Sequence, residues 1–148
     1  MRLLIDTNLL VDYFGGRQPF CKSWDKINAM QLAGAAELWA SAESYTDVFY
    51  LLRKAVGSDR LQAMFLESLD FINVCSIDAG DVRVAAERSW PDFEDCLIDV
   101  CAEKVKADYI ISRDEKGFVR SRTEVFSPDG FFSHLEEEKG IVIEVVDW

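Results

Sequence analysis

Arg2-Leu3-Leu4-Ile5-Asp6-Thr7-Asn8 sets an apolar run directly against a carboxylate, a hydroxyl and an amide. A short apolar run that stops at polar turn residues reads as a buried strand, and Thr7 or Asn8 then starts a helix. Leu9, Leu10 and Asp12-Tyr13-Phe14 carry that helix forward, and Gly15-Gly16 closes it. A strand that delivers an acid into a turn before a helix is the unit from which the rest of the chain is read.

Strands and helices alternate downstream. A helix is expected from about Pro19 to Leu32, with Phe20, Trp24 and Ile27 on its inner side, followed by a strand at Glu37-Leu38-Trp39-Ala40. Ala42 to Val56 is helical in pattern with Gly57 as its stop, and Ser58 begins another helix carrying Leu61, Met64, Phe65 and Leu69. Phe71 to Cys75 reads as a strand, Ala79 to Ser89 as a helix ended by Pro91, and Phe93 to Lys106 as a helix. Asp108 to Ser112 is a further strand, and Ser127-Pro128 opens a last helix. Ile141-Val142-Ile143-Glu144-Val145-Val146 reads as a closing strand within a C-terminal extension, 141–148. Apolar strands separated by helices imply an α/β fold, a three-layer α/β/α sandwich with a mostly parallel central sheet. No linker or repeat divides the chain, so residues 1–148 are expected to form a single domain.

Composition narrows the chemistry. The 148 residues are 49% hydrophobic and 29% charged, which excludes a disordered chain. No apolar run approaches the ~20 residues of a membrane span, and Asp6 interrupts the N-terminal apolar run too early for a signal peptide. Cys21, Cys75, Cys96 and Cys101 form no CxxC pair, so reduced thiols and a cytoplasmic location are expected. The single histidine, His134, argues against Ser/His/Asp or Cys/His hydrolysis and leaves carboxylates to do any catalysis. The net charge of −11 opposes phosphate binding unless cations or a local basic patch offset it.

Ligands of open α/β sheets collect at the carboxyl ends of the strands, and two strands there end in acid, at Asp6 and at Ser112-Arg113-Asp114. Helices add Glu43, Asp47, Asp92, Glu94, Asp95 and Asp99. Taken singly, Asp6 and Asp92 read as caps, and Glu94 and Asp99 as helix-surface charges. Asp47 is different: it interrupts Tyr45, Val48, Phe49, Leu51 and Leu52 in a helix expected to be largely buried, where an unpaired carboxylate costs several kcal/mol. Converging carboxylates repel one another unless a cation intervenes, and all-oxygen ligands select Mg²⁺ or Mn²⁺. Between positions 113 and 122, Arg113, Lys116, Arg120 and Arg122 outnumber Asp114 and Glu115, against the sign of the whole chain.

This constellation resembles the PIN-domain family of metal-dependent ribonucleases. Leu3 to Asn8 matches the family's opening strand and DTN motif; Ala40 to Asp47 matches the segment carrying the second acid, with Asp47 where most members have Glu. Asp92 to Ile98 matches the third segment, with Asp95 as its acid. Tyr109 to Asp114 matches the strand leading into a Thr/Ser-x-Asp motif. The likeness covers nearly the whole chain apart from Ile141–Trp148.

The resemblance implies an endoribonuclease, similar to the toxin of a toxin–antitoxin pair, with Asp6, Asp47, Asp95 and Asp114 as catalytic acids. Asp6, Asp95 and Asp114 would hold Mg²⁺ or Mn²⁺, with Asn8, Ser112, Glu43 and Asp92 in support. Arg113, Lys116, Arg120 and Arg122 would contact RNA. An antitoxin and a second copy of the chain are the implied protein partners. Two alternatives stand beside this reading. One is a catalytically weak or inactive module of the same fold that binds RNA or a protein. The other is a metal-dependent phosphatase or phospho-acceptor, which fits poorly because Asp6-Thr7-Asn8 lacks the second Asp of a DxD motif.

Overall fold

A computed structural model describes residues 1–145. Five strands, β1 (Arg2–Ile5), β2 (Glu37–Ser41), β3 (Ile72–Cys75), β4 (Tyr109–Ile111) and β5 (Glu124–Phe126), form one sheet in the order β3-β2-β1-β4-β5. Every pairing is parallel, with Leu4 opposite Trp39 and Ile5 opposite Ile111. Seven helices flank it: α1 (Thr7–Gly15), α2 (Cys21–Leu32), α3 (Ala42–Val56), α4 (Ser58–Ser68), α5 (Ala79–Arg88), α6 (Phe93–Lys104) and α7 (Pro128–Lys139). The expected three-layer α/β/α sandwich is the observed fold.

Alternation along β1 divides the two layers, since successive strand side chains point to opposite faces. Leu3 and Ile5 join the larger core with Leu10, Phe14, Ile27, Val48 and Phe131 from the helices of one face. Leu4 points the other way, into a smaller core with Ile98, Cys101 and Ala102 of α6. All three β1 side chains are fully buried, and each stabilises the fold by roughly 1.5–3 kcal/mol. The chain leaves β1 toward β2 on one side and receives β4 on the other, so the switch in strand order falls at the carboxyl end of β1.

Several boundaries differ from the sequence reading. Residues 141–145 carry no strand, although Ile143 packs on the larger core; the rest of the expected closing strand lies outside the described residues. The fifth strand is instead Glu124–Phe126, whose three residues are too few for a periodicity to register. A 3₁₀ turn, Glu115–Phe118, follows β4. Helix α3 is less buried than expected: Ser44, Val48 and Leu52 face inward, whereas Tyr50 and Leu51 are exposed. Among the described residues, no helix is long and apolar enough to cross a membrane.

Candidate metal centre

Asp6 is the first residue beyond β1, and its backbone amide still bonds to Ile111 O, as if the strand continued. Its side chain therefore emerges at the carboxyl end of the sheet, only 3% exposed. Oδ1 accepts from the Thr7 amide at 2.7 Å, capping α1, and Oδ2 accepts from Ser112 Oγ at 2.6 Å. The cap and the functional placement are one conformation. Burial pushes the Asp6 carboxyl up to about 6 despite those two bonds, and the charges of Asp95 and Asp114 push in the same direction.

Helix α6 points its N-terminus at the same place. Asp92 caps it, accepting from the Asp95 amide at 3.1 Å, and Glu94 and Asp95 occupy the first turn, where the helix dipole favours negative charge. Carboxylate oxygens of Asp6, Glu94 and Asp95 all lie within 4.8 Å of one another. Burial pushes Glu94 up to about 7, with Asp6 and Glu43 adding to the effect against a hydrogen bond from Thr7. Asp95 also rises to about 7, through burial first and then the charges of Asp92, Glu94 and Asp114.

Glu94 is thus no helix-surface charge. Its Oε1 accepts from Thr7 Oγ1 at 2.7 Å, and Thr7 Oγ1 lies 2.8 Å from Ser44 Oγ. Because Thr7 has a single proton and spends it on the carboxylate, Ser44 is the donor in the second contact. Little in the sequence marks Glu94 beyond its place beside Asp95 in a first helical turn. Asp99, read as a solvated charge on the same helix, is fully buried and bonded to Arg88 Nη1 at 2.9 Å. It belongs to a separate network with Arg88, Ser121 and the Arg122 amide.

Asp114 caps the 3₁₀ turn, accepting from the Gly117 amide at 3.2 Å, and is exposed. Gly117 has no side chain where one would intrude. A Cβ there would lie 2.9 Å from Asp114 Oδ2 and would overlap Asp95 Oδ2, so the bare Cα lets the two carboxylates share one hollow. Asn8 donates from Nδ2 to Ser112 Oγ at 3.2 Å and accepts from the Arg113 amide at 3.3 Å, holding the β4 turn against α1.

Helix α3 brings two acids, Glu43 and Asp47. Glu43 raises the carboxyl of Glu94 and is itself raised by burial and by the charges of Asp47 and Asp92. Its Oε2 is buried with no hydrogen-bond partner among the described residues. Asp47, half-buried one turn farther along, is raised by burial alone and stands outside the tight group. Neither α3 acid belongs to the group of three: the charge of Glu43 reaches Glu94, and that of Asp47 reaches Glu43.

The basic segment divides as well. Arg113 is not free for an anion, because it forms a bidentate pair with the buried Asp12 at 2.7 and 3.1 Å and stacks on Phe20. Lys116 and Arg120 are exposed without an ion pair among the described residues, and Arg122 approaches Glu103 at 4.0 Å.

Among the described residues, no lysine or arginine pairs with Asp6, Glu43, Asp92, Glu94, Asp95 or Asp114. Buried carboxylates with no cationic partner, all-oxygen donors, an orphaned Glu43 oxygen and a hollow kept open by Gly117 fit a hard divalent cation.

Residues 2–116 match the family model described as PIN domain. The chain belongs to the PIN-domain family. Among its relatives is "Ribonuclease VapC1" of Aquifex aeolicus, 26% identical over 135 residues, covering 88% of this chain and 92% of the relative. Two solved structures share the PIN fold. One is the VapBC2 complex from Rickettsia felis bound to a DNA fragment from its promoter (TM-score 0.63, 16% identity, 86% and 98% of the two chains). The other is a toxin–antitoxin complex from Klebsiella pneumoniae (TM-score 0.60, 22% identity, 85% and 97%).

Proposed function

We propose that this PIN-domain protein is a Mg²⁺- or Mn²⁺-dependent endoribonuclease and the toxin of a toxin–antitoxin pair. The observation that carries the reading is the approach of Asp6, Glu94 and Asp95 to within 4.8 Å with no lysine or arginine paired to them among the described residues. The family, the ribonuclease relative and the toxin–antitoxin neighbours support it.

Asp6, Glu94 and Asp95 would hold the cation, with Asp114 across the Gly117 hollow as a further ligand. When bound, Mg²⁺ or Mn²⁺ supplies Lewis-acid charge at the scissile phosphate. The protein's own groups do the rest. Ser112 and the Thr7 amide fix both oxygens of Asp6, and the Ser44–Thr7 relay fixes Glu94. Glu43 Oε2, unpartnered and less acidic than an ordinary carboxylate, takes up the proton of the attacking water. Lys116, Arg120 and Arg122 attract the RNA backbone in a chain otherwise repelled by it.

The purified protein is expected to cleave RNA with Mn²⁺ and not with EDTA, and Asp6→Asn and Asp95→Asn are expected to abolish cleavage. Activity in EDTA, or activity untouched by both substitutions, would remove the proposed site. Expression is expected to arrest growth, with relief by the product of an adjacent gene.

A further inference from the structure

Beside the carboxylates lies a second hollow of about 300 Å³, lined by Leu9, Asp12, Phe20, Arg113, Pro128 and Asp129 among others. Its chemistry is unlike that of the metal centre. Arg113 sits between Ser112 and Asp114 in the chain, and its guanidinium lies 4.3 Å from the centre of the Phe20 ring. Nε and Nη2 are spent on Asp12, which is 2% exposed, while Nη1 makes no hydrogen bond among the described residues. Phe20 is 46% exposed although it is a large apolar ring. Asp129, exposed in the first turn of α7, adds an acceptor to the wall.

This inventory disfavours a phosphate. Asp12 already neutralises Arg113, and Asp129 leaves the hollow with a surplus of negative charge. What fits is a neutral, planar group with an apolar face, an acceptor for Nη1 and N–H donors for a carboxylate. Unpaired RNA bases are held in this way, stacked on aromatic rings and guanidinium planes and read along their edges. Guanine offers O6 and N7 as acceptors on one edge and its N1 and N2 hydrogens as adjacent donors on another, which suits a guanidinium and a carboxylate together.

We propose that the hollow between α1, α2, α7 and the β4 turn is a base subsite that seats an unpaired guanine of the RNA strand next to the scissile phosphate. The Phe20–Arg113 pair supplies the stacking surface, and Asp129 accepts from the guanine N1 and N2 hydrogens. The subsite gives the nuclease its sequence preference. This deepens the nuclease reading and rests on it for the position of the scissile bond.

Two arms test it. In the first, a mixed-sequence single-stranded RNA is cut with Mn²⁺ and the ends are sequenced. Cuts are expected at a fixed offset from guanine, with a bias of at least about tenfold that flattens in Phe20→Ala and in Asp129→Asn. Both positions are exposed, so the variants are expected to fold, and circular dichroism checks that they do. Cleavage without a guanine bias, or with one that neither substitution moves, would overturn the subsite while leaving the nuclease intact. In the second arm, labelled pentaribonucleotides carrying guanosine or inosine are titrated in EDTA, where no cleavage occurs. Guanosine is expected to bind about tenfold more tightly than inosine, which lacks the N2 amino group, with the difference lost in Asp129→Asn. Equal binding of the two would overturn the subsite. A protein that cuts no RNA yet shows the guanosine preference would retain the subsite and lose the nuclease reading.

Discussion

The hydroxyl of Ser112 donates to Asp6 Oδ2 at 2.6 Å while its oxygen accepts from Asn8 Nδ2 at 3.2 Å and from the Asp114 amide at 2.9 Å. A serine hydroxyl has one proton and two lone pairs, and all are spent. One atom at the end of β4 therefore ties together the exit of β1, the first turn of α1 and the loop carrying Asp114. The Asp6 carboxylate is oriented before any ligand arrives.

Ser112→Ala is expected to leave Asp6 Oδ2 buried without its donor, at a cost of about 1–3 kcal/mol in urea unfolding. Losing a bond that lowers the Asp6 carboxyl raises it above about 6, so the acid limb of the pH–rate profile moves to higher pH. Cleavage is expected to fall roughly tenfold or more, as when an orienting partner of a metal ligand is lost. An acid limb that stays in place would show that Ser112 does not set Asp6.

The metal-free protein is expected to lose stability as pH rises from about 4 to about 7. Asp6 sits at about 6 and Glu94 and Asp95 at about 7 in the folded chain, above their ordinary values of 3.8, 4.5 and 3.8. The folded state thus holds these protons more tightly than the unfolded chain. Their stabilising contribution is complete below the ordinary values and disappears as pH passes through the raised ones. Mn²⁺ is expected to reverse this, raising Tm more at about pH 8 than at about pH 5, where protons compete for the same oxygens. Melting curves with Mn²⁺ or EDTA at the two pH values decide it; an equal increment at both would contradict a carboxylate site.

Glu94→Gln separates stability from function. The amide oxygen can keep the bond from Thr7 Oγ1, and the new N–H₂ can donate to Asp95 in place of a second negative charge. Removing that repulsion is expected to stabilise the metal-free protein by about 1 kcal/mol near pH 8, while cleavage falls by roughly a hundredfold. Chemical denaturation beside an RNA-cleavage assay tests both halves. A destabilised variant with full activity would place Glu94 in a purely structural role.

Gly117→Ala is expected to spare the fold and damage the centre. The added methyl intrudes on Asp95 Oδ2 and comes within 2.9 Å of Asp114 Oδ2, so one carboxylate must move. Calorimetric titration with Mn²⁺ is expected to show affinity weakened by at least about tenfold, of the order seen when metal ligands lose their orientation. Unchanged affinity would mean that Asp95 and Asp114 do not hold the ion together across this hollow.

The layer architecture was legible because Leu3-Leu4-Ile5, Leu38 and Ile110-Ile111 are apolar on both faces of their strands, a pattern only a covered parallel sheet explains. Asp6 drew notice at a strand end, and Asp95 only through the resemblance to the PIN-domain family. What stayed hidden depended on rotation and reach. Along α3, Glu43 and Asp47 are one turn apart, and only the seating of the helix decides which of them meets Glu94. The pairing of Arg113 with Asp12 spans 101 positions and leaves no periodic trace. β5 and the 3₁₀ turn are too short for a pattern to accumulate.

Asp99 gives the sharpest contrast between a surface charge and a buried one. It is fully buried on α6 and accepts from Arg88 Nη1 of α5 at 2.9 Å, from the hydroxyl of Ser121 and from the Arg122 amide at 3.5 Å. Arg88 reaches Glu103 as well, at 2.9 Å, so it keeps one partner if Asp99 is removed. Asp99→Ala is nevertheless expected to cost about 3 kcal/mol, because it leaves part of a buried ion pair and the Arg122 amide uncompensated, while the Ser121 hydroxyl can turn to Thr123 O at 2.6 Å. A solvated helix charge would cost within about 0.5 kcal/mol. The same change frees the loop that carries Arg120 and Arg122, so KM for RNA is expected to rise more than kcat falls. Urea unfolding fixes the first quantity and steady-state cleavage the second. A loss of kcat with KM unchanged would instead tie Asp99 to the carboxylates around Asp95.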